Sequence, residues 1–134
     1  NMKFKMINNN NSIIFTKETE EGHKICTCGI SIDMKSRSWD IKAWYTVKDF
    51  QHAGHGKETL RETLAYCLST YGIPDAVYYT WNGMNEYVLE WIEQHFDAIC
   101  ICPIAVQKNQ ADDDWDSHIY KLDRDKLLKY FMFR

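Results

Sequence analysis

Residues 51–57 read Gln-His-Ala-Gly-His-Gly-Lys, two glycines one residue apart at the mouth of an amphipathic helix. Glycine lets the backbone turn tightly and come close to a ligand. The first amides of a helix have no partner inside it and carry partial positive charge. The chemistry that suits this arrangement is main-chain capture of a phosphate or pyrophosphate, and Lys57 can add a charge-assisted contact. Two common phosphate loops are excluded by spacing. The P-loop needs a glycine five residues before its Gly-Lys pair and a hydroxyl after it, where this chain has Gln51 and Glu58. The dinucleotide fingerprint needs a third glycine near position 59, which is Thr59.

The spacing that remains is Gln-x-x-Gly-x-Gly, carried by Gln51, Gly54 and Gly56. It resembles the acetyl-CoA loop of the GNAT (Gcn5-related N-acetyltransferase) superfamily, Gln/Arg-x-x-Gly-x-Gly/Ala between a strand and a long helix. The order of elements around it extends the resemblance over roughly residues 24–122. The resemblance implies one GNAT-like acetyltransferase domain over residues 2–134, with acetyl-CoA as cofactor. It implies that the pyrophosphate sits on the amides of His52, Ala53, Gly54, His55, Gly56 and Lys57. The side chains of His52 and His55 are read as exposed loop residues. Backbone groups of Tyr45, Thr46 and Val47, on the strand before the loop, would hold the pantetheine arm and the thioester carbonyl. Asn85 matches the family's arm-contacting asparagine, and is equally placed to start a helix.

Acetyl transfer to an amine requires a polarised carbonyl, a neutral amine and a protonated leaving thiolate. Many GNAT proteins place a tyrosine seven residues after the asparagine; here that residue is Ile92. Tyr87 is the nearest phenol, either the acid or a core aromatic. Asp40 is the one acid on the strand before the loop, and alternation sets it opposite Ile41, Ala43 and Tyr45, where it reads as a solvated carboxylate. Residues 112–116, Asp-Asp-Asp-Trp-Asp, either attract a cationic acceptor or form a solvated turn. His118 and Tyr120 lie on the last strand with no assigned role. Cys67 falls on an apolar helix face, so no nucleophile–base pair is evident and direct attack in a ternary complex is expected.

These groups must be positioned by strands and helices. Residues 12–19, 23–34 and 39–47 are rich in aromatic and β-branched types and read as strands, joined by polar turns at 20–22 and 34–38. Residues 7–11, with four asparagines, read as a turn or flexible connection. After the loop, Leu60, Leu64, Cys67, Leu68 and Tyr71 recur at helical spacing, and Gly72 and Pro74 end that helix. A strand follows over 75–81. A second helix opens around Asn82, Gly83, Met84 and Asn85, with Tyr87, Val88, Trp91, Ile92 and His95 on one face. Residues 98–106 and 118–122 read as strands, and 123–133 as an amphipathic tail. Its Tyr130, Phe131 and Phe133 either pack on the sheet or join a homodimer. The fold class expected is α+β: a GNAT-like mixed, mostly antiparallel twisted sheet flanked by helices, lacking the usual N-terminal helix pair. The acceptor side is then open, or completed by a second subunit.

Composition bounds the rest. With 134 residues the chain suffices for one core. Asn1 before Met2 reads as the remnant of a cleaved tag. No signal peptide is visible and no apolar run is long enough to span a membrane. A net charge of −3 argues against nucleic-acid binding, which wants a basic face. Five cysteines, an odd number, suit reduced thiols in the cytoplasm. In a strand Cys26 with Cys28, and Cys100 with Cys102, share a face, yet these runs are apolar and the thiols read as small hydrophobes rather than metal ligands. The partner expected is an amine-bearing acceptor, a small molecule or a peptide. The alternative is a catalytically weak or inactive acyl-CoA-binding or interaction module, which Ile92 and the absent helix pair favour.

Overall fold

The computed structural model describes residues 2–81, 83, 85–102 and 118–132, in two compact units, Asn1–Pro74 and Asp75–Arg134. The first unit contains strands β1 (Met2–Asn9), β2 (Ser12–Thr19), β3 (Lys24–Asp33) and β4 (Ser38–Thr46), then a short 3-10 turn and helix α1 (His55–Tyr71). Each strand pairs antiparallel with the next. No α-helix precedes His55 among the described residues, so the expected lack of an N-terminal helix pair holds.

The asparagine run was expected to be a turn over 7–11. Only Asn10 and Asn11 turn, with φ of 57° and 67°, the left-handed pair of a tight hairpin. Ile7, Asn8 and Asn9 belong to β1 and face Ile14, Ile13 and Ser12. Cross-strand pairing overrides the low strand propensity of asparagine.

The core of this unit is built from Ile13, Phe15, Ile25, Cys26, Cys28, Ile30, Trp39 and Ile41, covered by Leu60, Leu64 and Cys67 of α1. Thr59 and Thr63 are also fully buried on α1. Their hydroxyls donate to His55 O at 2.8 Å and Thr59 O at 2.7 Å, so each polar atom is satisfied one turn back. The buried stripe thus runs through two threonines, while Leu68 and Tyr71 are only half-buried.

Strand β4 carries a bulge. Tyr45 pairs with Thr27 and Lys42 with Gly29, so Ala43 and Trp44 together face Cys28, and Ala43 takes φ of 54°. An extra residue reverses the alternation beyond it. Trp39 and Ile41 point into the core before the bulge; after it Trp44 points to α1, where its indole meets Gly56. The expectation that Tyr45 shares a face with Ile41 is therefore corrected: Asp40 and Tyr45 lie on one side, away from α1.

The second unit contains β5 (Ala76–Trp81), α2 (Glu86–Phe96), β6 (Ile99–Cys102), β7 (His118–Leu122) and α3 (Arg124–Met132). β7 pairs antiparallel with both β5 and β6. The expected strand over 98–106 is described only as Ile99–Cys102, and a bulge between Cys100 and Cys102 interrupts the alternation that a shared face needs. Val77, Tyr79, Trp81, Tyr120 and Leu122 from the strands are buried, as are Trp91, Ile92, Phe96, Leu127, Leu128 and Phe131 from α2 and α3. Trp91 meets Phe96 and Tyr130 edge to face at 5.2 and 5.6 Å, geometry that adds to plain area burial. The tail therefore forms a helix whose aromatics pack against α2 within this unit. Tyr87 departs from the helix face expected for it: it is 68% exposed. Asn82, Met84, the acidic run 112–116 and Phe133 lie outside the described residues.

Candidate anion-binding site

The end of β4 and the start of α1 are tied together by side chains and backbone. Gln51 Nε2 donates to Thr46 O at 3.0 Å, and Trp44 Nε1 donates to Gly56 O at 2.9 Å. The chain reverses through His52 and Gly54, with φ of 65° and 85°. Gly54 is the N-cap of α1, and its carbonyl takes the first helical bond, from Glu58 N at 3.1 Å. No side chain caps this end. A helix start with left-handed Gly54 and no side-chain cap is a fitting receptor for an anion. At Gly56 an added Cβ would meet Thr46 Oγ1 at 3.4 Å and Trp44 Nε1 at 3.6 Å. Alanine can be fitted there, but a longer side chain must displace the Thr46 and Trp44 side chains.

Of the residues expected to hold the cofactor arm, two backbone groups already have partners. Thr46 O accepts from Gln51, and Val47 N donates to Ile25 O at 2.8 Å. Thr46 Oγ1 donates to Cys26 Sγ at 3.3 Å. The Tyr45 side chain is 55% exposed. His52, Ala53 and Lys57 are exposed.

His55 corrects the expectation of an exposed loop side chain. It is half-buried, its ring edge meets Phe50 at 6.1 Å, and its Nδ1 lies 2.9 Å from Lys17 Nζ. Lys17, on β2, is 7% exposed. Its ammonium also bonds the Glu58 carboxylate and lies 5.7 Å from the centre of the Phe4 ring. An ammonium only donates, so His55 Nδ1 accepts and the ring proton sits on Nε2. Burial, then the Lys17 charge, holds the His55 pKa below the ordinary histidine range, against the opposing pull of Glu58. Sequence reasoning missed Lys17 and Glu58. The signal was present: Lys17 continues the inward alternation of Ile13 and Phe15, and an inward lysine demands a partner.

In the second unit, Asn85 Oδ1 accepts from Tyr87 N at 3.1 Å and caps α2. Its carbonyl accepts from Trp81 Nε1 at 2.8 Å. Ile92 is 2% exposed and belongs to the core. His118 lies against Trp81 at 5.7 Å. Burial foremost, with Cys100 and Glu93 adding, raises the Tyr120 pKa and keeps its phenol protonated. Burial likewise pushes the Cys67 thiol up to about 12 and raises that of Cys28, so neither is a ready nucleophile. Among the described residues no group of three or more His, Cys, Asp or Glu is placed to hold a metal ion, and no helix is long and apolar enough to cross a membrane.

No family model matches the sequence, and no curated protein matches it. Solved structures do match its fold. A nourseothricin acetyltransferase superposes with a TM-score of 0.65 at 10% identity, over 90% of this chain and 83% of that one. The spermidine/spermine N-acetyltransferase SpeG from Vibrio cholerae gives 0.65 at 14% identity, over 91% and 71%. A streptothricin acetyltransferase, described as putative, from Bacillus anthracis in complex with acetyl coenzyme A gives 0.63 at 15%, over 87% and 64%.

This is the GNAT fold.

The likeness spans both units, and at these identities it carries the fold alone. Within the GNAT fold of this chain, Gln51 and Gly54 stand between β4 and α1 and Gly56 is the second residue of α1, at the strand-to-helix junction where the sequence put the loop.

Proposed function

We propose that the chain is an acetyl-CoA-dependent N-acetyltransferase, one domain over residues 2–134, that moves an acetyl group to an amine acceptor. The observation that carries the reading is the start of α1 without a side-chain cap, behind left-handed Gly54. The pyrophosphate would lie on the amides of His52 through Lys57. The arm would run along Tyr45, Thr46 and Val47, with Asn85 as a further contact. When bound, the cofactor supplies an activated thioester. The chain's own part is to orient it, to present backbone donors where charge develops on the carbonyl oxygen, and to return a proton to the thiolate. Tyr87, with its exposed phenol, is the residue assigned that last role. Among the described residues no nucleophile–base pair stands out, which supports direct attack in a ternary complex. Two of the matched structures are named as acting on spermidine or spermine and on streptothricin, which supports a small amine-bearing acceptor, although a peptide fits an open site as well. Free buried Cys26, Cys28 and Cys67 suit a reducing compartment such as the cytoplasm.

A second reading is favoured by Ile92, buried at the position where many GNAT proteins carry the acid tyrosine, and by the absence of an α-helix before His55 among the described residues. In it the chain binds acyl-CoA without turning it over. Thermal unfolding with acetyl-CoA, and with ATP and NAD as controls, tests both. A ligand at about 100 times its dissociation constant adds roughly 2.7 kcal/mol, a shift of several degrees. A shift with CoA compounds alone, followed by turnover across an amine panel, supports the enzyme. A shift without turnover supports acyl-CoA binding without catalysis, and no shift overturns the cofactor reading and moves the weight to an interaction module on the same fold.

A further inference from the structure

Lys17 sits on the inward face of β2 with Ile13 and Phe15, only 7% exposed. Burying an ammonium is costly unless each donor finds a partner. The partners it finds are the His55 Nδ1 atom at 2.9 Å and the Glu58 carboxylate. Both belong to the opening turns of α1: His55 is its first residue, and Glu58 makes its first helical bond. One buried cation thus grips the helix start from beneath.

We infer that Lys17 is a positioning residue for the anion-binding turn: it fixes the His55 ring as the neutral Nε2–H tautomer and pins the start of α1 where it receives the cofactor pyrophosphate. This rests on the acetyl-CoA reading. Lys17 does not touch the cofactor. It acts through His55 and Glu58. A protonated His55 would carry a hydrogen on Nδ1, which cannot accept from an ammonium, and two cations would face each other. The charged groups facing His55 are Lys17 from β2 and Glu58 from α1, with Phe50 adding only a ring edge.

Two readouts test the role: the tautomer and titration of His55 by nitrogen-15 and proton NMR, and acetyl-CoA affinity by calorimetry. In the unmodified protein His55 shows the Nε2–H tautomer and titrates below the ordinary histidine range. Lys17→Met, which keeps the stem but removes the cation, moves that titration upward and weakens acetyl-CoA binding by roughly tenfold. Lys17→Arg restores most of both. An Nδ1–H tautomer in the unmodified protein overturns the inference. So does a folded Lys17→Met variant with unchanged titration or unchanged affinity. Glu58→Gln keeps the test sharp if Lys17→Met does not fold, because loss of the half-exposed carboxylate must move the His55 titration further down, and an unmoved titration overturns the coupling. If the unmodified protein does not bind acetyl-CoA at all while His55 behaves as stated, the cofactor reading falls, and the positioning role falls with it.

Discussion

The indole Nε1 of Trp44 donates to the carbonyl of Gly56 at 2.9 Å, binding the strand just past its bulge to the second residue of α1. Trp44→Phe keeps the ring packing and removes the donor. A net loss of about 1 kcal/mol is expected for one neutral hydrogen bond, read as a lower urea midpoint with an unchanged slope. Acetyl-CoA affinity should fall as well, because the loop loses its tether to β4.

The two loop glycines are needed for different reasons, and alanine separates them. Gly54 has open space around its Cβ position but a φ of 85°, so Gly54→Ala costs about 1 kcal/mol in backbone strain. Gly56 has no such strain, so Gly56→Ala should be tolerated in stability and binding. Gly56→Leu must collide with Thr46 and Trp44 and abolish binding in calorimetry. Equal behaviour of the two alanine variants would contradict this assignment.

His55 sets a pH dependence whose sign is fixed by its environment. Its folded pKa lies below the ordinary histidine value, so between the two values the unfolded chain holds more protons and stability rises with pH. The contribution is fully present above the ordinary value and is lost as pH falls through the lower, folded one. Melting temperatures from pH 8 down to pH 5 should show a drop that His55→Gln largely removes, since the amide oxygen still accepts from Lys17 but does not titrate.

Asn85 has a structural role that conceals any role in binding. Asn85→Ala removes the cap of α2 and should cost about 1 kcal/mol. Asn85→Asp retains the capping oxygen and should keep the melting temperature near that of the unmodified protein. A contact with the cofactor arm then shows as weaker acetyl-CoA binding in the aspartate variant, and unchanged binding removes Asn85 from the site.

Tyr87 is exposed enough that Tyr87→Phe should change stability by less than about 0.5 kcal/mol. If its phenol protonates the leaving thiolate, turnover falls by roughly a hundredfold with little change in KM. Unchanged turnover would return the role to water or to another group.

The elements that read well in the sequence were those set by local pattern. Strand β2 was placed at its observed limits, and α1 ends at Tyr71 with Gly72 as its cap, because turn glycines and apolar periodicity act over a few residues. The misreadings share one cause, which is that distant pairing decides. β1 was missed because Asn8 and Asn9 look like turn residues until Ile13 and Ser12 are opposite them. The β4 bulge left no mark in composition, so Tyr45 was placed on the wrong face. The turn at Gln51, Gly54 and Gly56 was legible because its spacing is local, with left-handed Gly54 standing as the N-cap of α1. The inward position of Lys17 was legible from the alternation of β2, but its partner His55, 38 residues away, was not.

The extra residue at Ala43 makes β4 a strand with two phases. Up to Ile41 its odd positions point inward. From Trp44 onward its even positions do, and the turn into α1 is hung from that second phase. Deleting one residue there would not shorten the strand so much as rephase it. Tyr45 would be aimed at α1, Trp44 would turn away from Gly56, and the uncapped start of α1 would lose its anchor while the core behind Trp39 stayed intact.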